Sequence, residues 1–219
     1  MEHRINADRE FFGFKMRTRR HYHDDHIIKS CLDESKNLYK MPVNPKIVVD
    51  IGANIGCVSL IAAKRGARVF AFEPASDNFE TFKHNVEIND FKDRIDCINL
   101  GVGKSGKTKL YIHPRNSGAT SAFLAQNGSD ENLFEIVDFI SIYDVFNIYK
   151  IQHCDFLKMD CEGSEKDIIE DLDDNLASKI NQISLEFHDK KLIEYQVKKL
   201  SRWFIPEQLR RYEWTFRKI

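Results

Sequence analysis

The stretch VVDIGANIG, residues 48–56, joins an apolar, β-branched run to a loop of small residues. Such a junction opens the nucleotide-binding α/β folds, in which the loop after the first strand meets the ligand. A dinucleotide fingerprint, G-x-G-x-x-G, requires glycine at positions 52, 54 and 57. The chain has Gly52, Asn54 and Cys57 there. Without the middle glycine the backbone cannot approach a pyrophosphate closely, which disfavours a nicotinamide cofactor. No Gly-Lys-Ser/Thr follows, so the phosphate-loop pattern fails as well. What remains is D-x-G-x-N-x-G, with Asp50 at the strand end.

Outward from this loop the chain alternates. Ile47–Asp50 reads as a buried parallel strand, Gly52–Gly56 as a turn, and Val58–Lys64 as a helix ended by Gly66. Arg68–Phe72 is a second strand, Ser76 to about Asn89 a helix, and Ile95–Val102 a third strand. This order predicts a doubly wound, Rossmann-like α/β sheet. Lys107–His113 and Phe134–Ile142 add strand-like segments in a small insertion around 105–142. The Gly-, Ser- and Asn-rich loop 114–132 between them has the length of a functional lid or binding loop. Regular order returns with Asp155–Asp160 (strand), Ser164–Leu172 (helix) and Gln182–Phe187 (strand). The end reads as a helix, Ile193–Trp203, and a closing edge strand, Arg211–Arg217, with Tyr212, Trp214 and Phe216 alternating. Residues 1–22 carry no clear period, and Asp24–Tyr39 has apolar residues at helical spacing, closed by Pro42 and Pro45. The reading is a single domain, 1–219, with 1–45 an N-terminal helical or lid segment and 46–219 the core.

With 219 residues, 42% hydrophobic and 31% charged, the chain has the profile of one globular domain. A net charge of −1 disfavours binding to nucleic acid by bulk electrostatics, though Arg17, Arg19 and Arg20 leave room for a local patch. The charged N-terminus lacks the apolar segment of a signal peptide, and no run approaches a membrane span; the expectation is a cytoplasmic protein without a membrane partner. Five cysteines with no C-x-x-C spacing read as reduced thiols. RRHYHDDH (19–26) is rich in histidine and aspartate, but its spacing fits no metal motif.

S-adenosylmethionine suits the first loop better than a dinucleotide does. It has no phosphates, and its carboxylate can take backbone N–H groups at a helix start. Its ribose diol requires a carboxylate, and Glu73 ends the second strand. Four segments, DIGANIG, FAFEP (70–74), NVEIND (85–90) and FLKMDCEGSE (156–165), together resemble the FkbM family of S-adenosylmethionine-dependent methyltransferases. The likeness runs from about Ile47 to Glu186. It implies a class I methyltransferase fold, a seven-stranded, mostly parallel sheet whose last strand is antiparallel. Carried onto matching positions, Asp50, Gly52, Ala53, Asn54 and Gly56 would form the loop around the methionine part, and Glu73 would hold the ribose. Pro74, Gly101 and Val102 would border the adenine.

The acceptor should sit outside the carboxyl ends of the later strands. One end offers Lys158, Asp160 and Glu162, the other Glu186 and His188. Charged groups on a strand expected to be buried are costly unless paired, which marks Lys158 and Asp160 as catalytic candidates beside Glu186 and His188. Asp160, Glu186 or His188 could take a proton from an acceptor hydroxyl, or these three could hold a divalent metal. Lys158 has a structural alternative, pairing with Glu162 or Asp160, and Glu165 has one at the start of its helix. Asn116 and Ser121 in NSGATS (116–121), with Glu162, are the candidate substrate-binding residues. The expectation is O-methylation of a sugar, glycan or small natural product. A nucleic-acid acceptor is the in-class rival; an oxidoreductase or a non-catalytic binding module are the others.

Overall fold

The computed structural model describes residues 7–19, 24–33, 35, 38–113, 120–121 and 132–219. Asn116 and most of the loop 114–132 lie outside the described residues.

The centre is a seven-stranded sheet. Four strands carry the site: β3 (Ile47–Ile51), β4 (Arg68–Phe72), β9 (Phe156–Met159) and β10 (Gln182–Glu186). With β5 (Ile95–Ile98), β11 (Phe204–Gln208) and β12 (Glu213–Lys218) the order is β11-β12-β10-β9-β3-β4-β5. Only β12 runs against the rest, since it pairs antiparallel with both β10 and β11. This is the expected arrangement, with one correction. The aromatic alternation at the C-terminus belongs to an interior strand, and the edge is β11, whose Pro206 suits an edge position.

Alternate residues of each central strand feed two cores. Val48, Val69, Ala71 and Phe156 pack with α1 (Asp24–Leu32), α2 (Cys57–Lys64) and α3 (Ser76–Ile88) on one face. Val49, Ile51, Phe72, Leu157 and Met159 face α4 (Ile142–Ile148), α5 (Glu165–Asp171), α6 (Asp174–Ser178) and α7 (Ile193–Leu200) on the other. Gly66, at φ +91°, ends α2 as expected.

Elsewhere the sequence reading needs correction. The expected third strand splits: after β5, Asn99 turns aside to donate to the carbonyls of Glu73 and Pro74, at 2.9 and 3.0 Å. The remainder, β6 (Gly101–Val102), joins a separate three-stranded sheet, β6-β8-β7, with β7 (Gly106–Tyr111) and β8 (Phe134–Ile140). Ile142 belongs to α4, because Ser141 and Asp144 form a capping box that starts a helix there. Helix α1 stops at Leu32, where Asp33 accepts from the Ser35 amide in a turn. The N-terminal segment is not only helical: β1 (Ala7–Phe11) and β2 (Phe14–Thr18) form a hairpin, tied to α3 by Asn85 and Asn89. No helix among the described residues is long and apolar enough to cross a membrane.

Candidate active site

The parallel register of β3 and β9 sets Asp50 beside Lys158. Neighbours in register share a face, so the charged pair forms inside the sheet. The Lys158 Nζ lies 3.2 Å from Asp50 Oδ1 and donates to the carbonyls of Gly52 and Ile51, at 2.5 and 3.3 Å. Asp50 Oδ2 accepts from the Ser59 hydroxyl at 2.6 Å. Burial alone would favour a neutral lysine, but Asp50 and Asp160 keep the ammonium charged. The structural partner of Lys158 is therefore Asp50 rather than Glu162 or Asp160. A buried pair needs such hydrogen bonds to be tolerated, and Asp50 Oδ1 is held by the ion pair alone.

The loop 52–56 is closed on itself. The amides of Gly52 and Ala53 both donate to Phe72 O at 2.9 Å, that of Gly56 to Ala53 O, and that of Asn54 to Glu73 Oε2 at 2.8 Å. The amides of Gly52, Ala53, Asn54 and Gly56 are thus taken within the protein. Instead the loop offers the buried Asn54 Oδ1, which has no hydrogen-bond partner. Gly52, at φ +76°, has no room for a side chain, since a Cβ would fall 1.9 Å from Asp160 O. Gly56, at φ +93°, packs against the Phe82 ring in the same way. Glu73 is buried, and burial raises its pKa against the bonds from Ala75 N, Asn54 N and Asn78 that favour the carboxylate. It clamps the two loops at the ends of β3 and β4.

Two cavities open at this end of the sheet. One, of about 500 Å³, is lined by Asn54, Glu73, Pro74, Gly101, Val102 and Phe139, among others. The second, of about 1050 Å³, is lined by Ala53, Tyr39, Lys158, Glu186, Arg210 and Glu213, with His26 and Cys31 of α1. They share Gly52, Asn54, Asp160 and Glu162. Asp50 and Gly56 line neither; they hold the loop's shape from below. Ser121 is buried and its hydroxyl donates to Glu162 O at 2.6 Å, so it anchors the insertion, while Thr120 faces the first cavity.

The shared wall is acidic. Asp160 accepts from the Tyr39 hydroxyl at 2.5 Å, and although burial acts to raise its pKa, Lys158, His188 and Tyr39 hold it below its ordinary value. Tyr39 is buried, and burial with the neighbouring Asp160 pushes its phenol well up, so it stays a donor. His188 Nδ1 lies 2.9 Å from Glu165 Oε1, and its Nε2 lies 3.6 Å from both Asp160 Oδ1 and Glu162 Oε2. Burial would lower the His188 pKa, but Glu165 and the other carboxylates raise it to about 10. Burial and adjacent acids bring Glu162 to about 8 and Glu186 to about 7. Glu165 accepts from the amides of Cys161 and Gly163, both at 2.9 Å, and so fixes the turn in which Glu162 takes φ +52°. Sequence reasoning missed Tyr39, Asn78, Arg210 and Glu213; the first is 121 positions from Asp160, and no local pattern links them.

A sheet of this order, with the glycine loop and the acid at the next strand end, defines a class I S-adenosylmethionine-dependent methyltransferase. The chain belongs to the methyltransferase FkbM domain family, which matches residues 50–212. It is 25% identical over 197 residues to Methyltransferase sdnD of Sordaria araneosa, covering 77% of this chain and 76% of that protein. It is also 25% identical over 181 residues to the AMB antimetabolite synthetase AmbE of Pseudomonas aeruginosa; the match covers 66% of this chain but only 8% of AmbE. Among solved structures, the precorrin-6y C5,15-methyltransferase of Geobacter metallireducens shares the fold, with TM-score 0.50, 12% identity and 94% of each chain covered.

Proposed function

We propose that the protein methylates a hydroxyl oxygen on a sugar, glycan or small natural product, where the two cavities meet. The observation that carries this reading is the common wall of Gly52, Asn54, Asp160 and Glu162. Bound S-adenosylmethionine supplies a methyl group on a cationic sulfur, transferred by direct displacement with the sulfur keeping the bonding pair. Its fit to the first cavity is supported by the unpartnered Asn54 Oδ1, an acceptor for the ligand's ammonium group, and by the glycine-lined wall at Gly101. Glu73 would take the ribose hydroxyls on lone pairs its backbone bonds leave open. Pro74, Gly101 and Val102 would flank the adenine.

The second cavity receives the acceptor, and the N-terminal 45 residues form part of its cover through Ile27, Cys31 and Tyr39. The alignment of the acceptor oxygen is the protein's main contribution to a displacement of this kind. Among the carboxylates on the shared wall, Asp160 is engaged by Tyr39. Glu162 has only the 3.6 Å contact to His188, and is the group placed to take the hydroxyl proton. Lys158 is a positioning residue. Lys158 and Arg210 in the lining are each paired with an acid, Asp50 and Glu213, rather than open to a phosphate backbone, which favours a small acceptor over RNA. The relationship to a named antimetabolite synthetase supports the same choice.

The test is transfer of labelled methyl from S-adenosylmethionine to a panel of hydroxylated sugars, glycans and natural products, beside bulk tRNA and rRNA. Label in a hydroxylated small molecule is expected. Label in RNA alone overturns the acceptor class, and stabilisation by NAD without binding of S-adenosylhomocysteine overturns the cofactor.

A further inference from the structure

We propose that Asp160, Glu186 and His188 bind a divalent cation, Mn²⁺ or Mg²⁺, in the wall of the second cavity. One donor atom from each residue lies within 4.8 Å of the other two. The ends of the adjacent strands β9 and β10 bring them together, so the frame beneath them is sheet backbone.

The orientation of His188 is that of a ligand. Its Nδ1 faces the Glu165 carboxylate, which is itself fixed by two backbone amides. With Nδ1 on that side, Nε2 faces Asp160 and Glu162, and a cation bound there would take the place of the Nε2 proton. A carboxylate on the far ring nitrogen is the usual outer support of a metal-binding imidazole. The 3.6 Å from Nε2 to Asp160 Oδ1 is too long for a hydrogen bond. Two neighbouring donors on one octahedral ion with bonds of about 2.0–2.2 Å stand about 3 Å apart, so a small inward movement would bring both onto a cation. The Glu186 carboxylate makes no hydrogen bond or ion pair among the described residues, although it is partly buried beside other acids. Lys158 cannot serve as its counter-ion, being committed to Asp50 and two carbonyls. Crowded carboxylates in a confined site call for a cation.

Two carboxylates and one imidazole suit a hard ion that tolerates nitrogen, and leave positions open to the cavity. An acceptor hydroxyl on the ion would lose its proton more readily, to the adjacent Glu162. That role rests on the methyl-transfer reading; the binding itself does not.

The experiment uses the full chain, stripped with EDTA and titrated with MnCl₂ under electron paramagnetic resonance. One Mn²⁺ per chain is expected, displaced by excess Mg²⁺, with pulsed spectra showing coupling to one imidazole nitrogen. Glu186→Gln and His188→Gln, checked for fold by circular dichroism, should weaken binding at least about tenfold. His188→Gln should also remove the nitrogen coupling. Failure of the wild-type chain to bind, binding without nitrogen coupling, or unchanged affinity in both folded variants overturns the proposal. Should a variant not fold, the wild-type nitrogen signature decides. Calorimetry with S-adenosylhomocysteine on the metal-free chain separates the two readings. That ligand bound with no Mn²⁺ site defeats only the cation; Mn²⁺ bound with no affinity for that ligand defeats only methyl transfer.

Discussion

Gly52 and Tyr39 show how single residues set this site. A Cβ at position 52 would overlap the Asp160 carbonyl, and the left-handed backbone adds strain. Gly52→Ala should therefore lose about 3 kcal/mol or more in urea unfolding. Tyr39→Phe is the opposite case: the ring stays over Lys158, at 5.6 Å, and only the bond to Asp160 goes. Its expected cost is about 1–2 kcal/mol, with affinity for S-adenosylhomocysteine unchanged in calorimetry, since Tyr39 lines only the second cavity. A large loss of that affinity would place Tyr39 in the cofactor site instead.

Among the elements, the entry to β3 depends on one carboxylate. Asp155 Oδ2 accepts from Lys46 N and Ile47 N, at 2.8 and 3.0 Å, just before β9 begins. Desolvation opposes its charge, but those amides and His153 hold its pKa below the ordinary 3.8. A carboxylate depressed in the fold stabilises fully above its unfolded pKa and less as the pH falls through the folded one. Asp155→Ala should cost about 2 kcal/mol at pH 7, and the gap to wild type should close as urea melts are repeated below about pH 4. The elements β3, α2 and β4 were legible because they carry continuous apolar runs, and α3 because Phe79, Phe82 and Val86 recur at helical spacing. The hairpin β1–β2 was less so. Phe14, Met16 and Thr18 do alternate inward, but over five residues, and the turn is the pair Phe12-Gly13, both at positive φ. Helix α4 was obscured because its apolar start continues that of β8, and only the Ser141–Asp144 box separates them. Within the site, the acids at strand ends could be listed from the sequence. Their pairing could not, because Lys158 chooses Asp50 through the β3–β9 register, a tertiary fact.

At the scale of the molecule, both cavities sit on the carboxyl ends of the parallel strands, so a ligand that binds only the folded chain should stabilise it. S-adenosylhomocysteine at one hundred times its dissociation constant should stabilise the fold by about 2.7 kcal/mol, raising Tm by about 5–10 °C. NAD at the same concentration should leave Tm unchanged in a thermal-shift assay. At Gly52 the wall between the cavities is a backbone-to-backbone contact with the Asp160 carbonyl, with no room for a side chain at position 52. A ligand that moves Gly52 from one cavity would therefore press on the Asp160 backbone in the wall of the other. Any linkage between the two binding events is reciprocal, so whatever factor an acceptor applied to cofactor affinity, the cofactor would return to the acceptor.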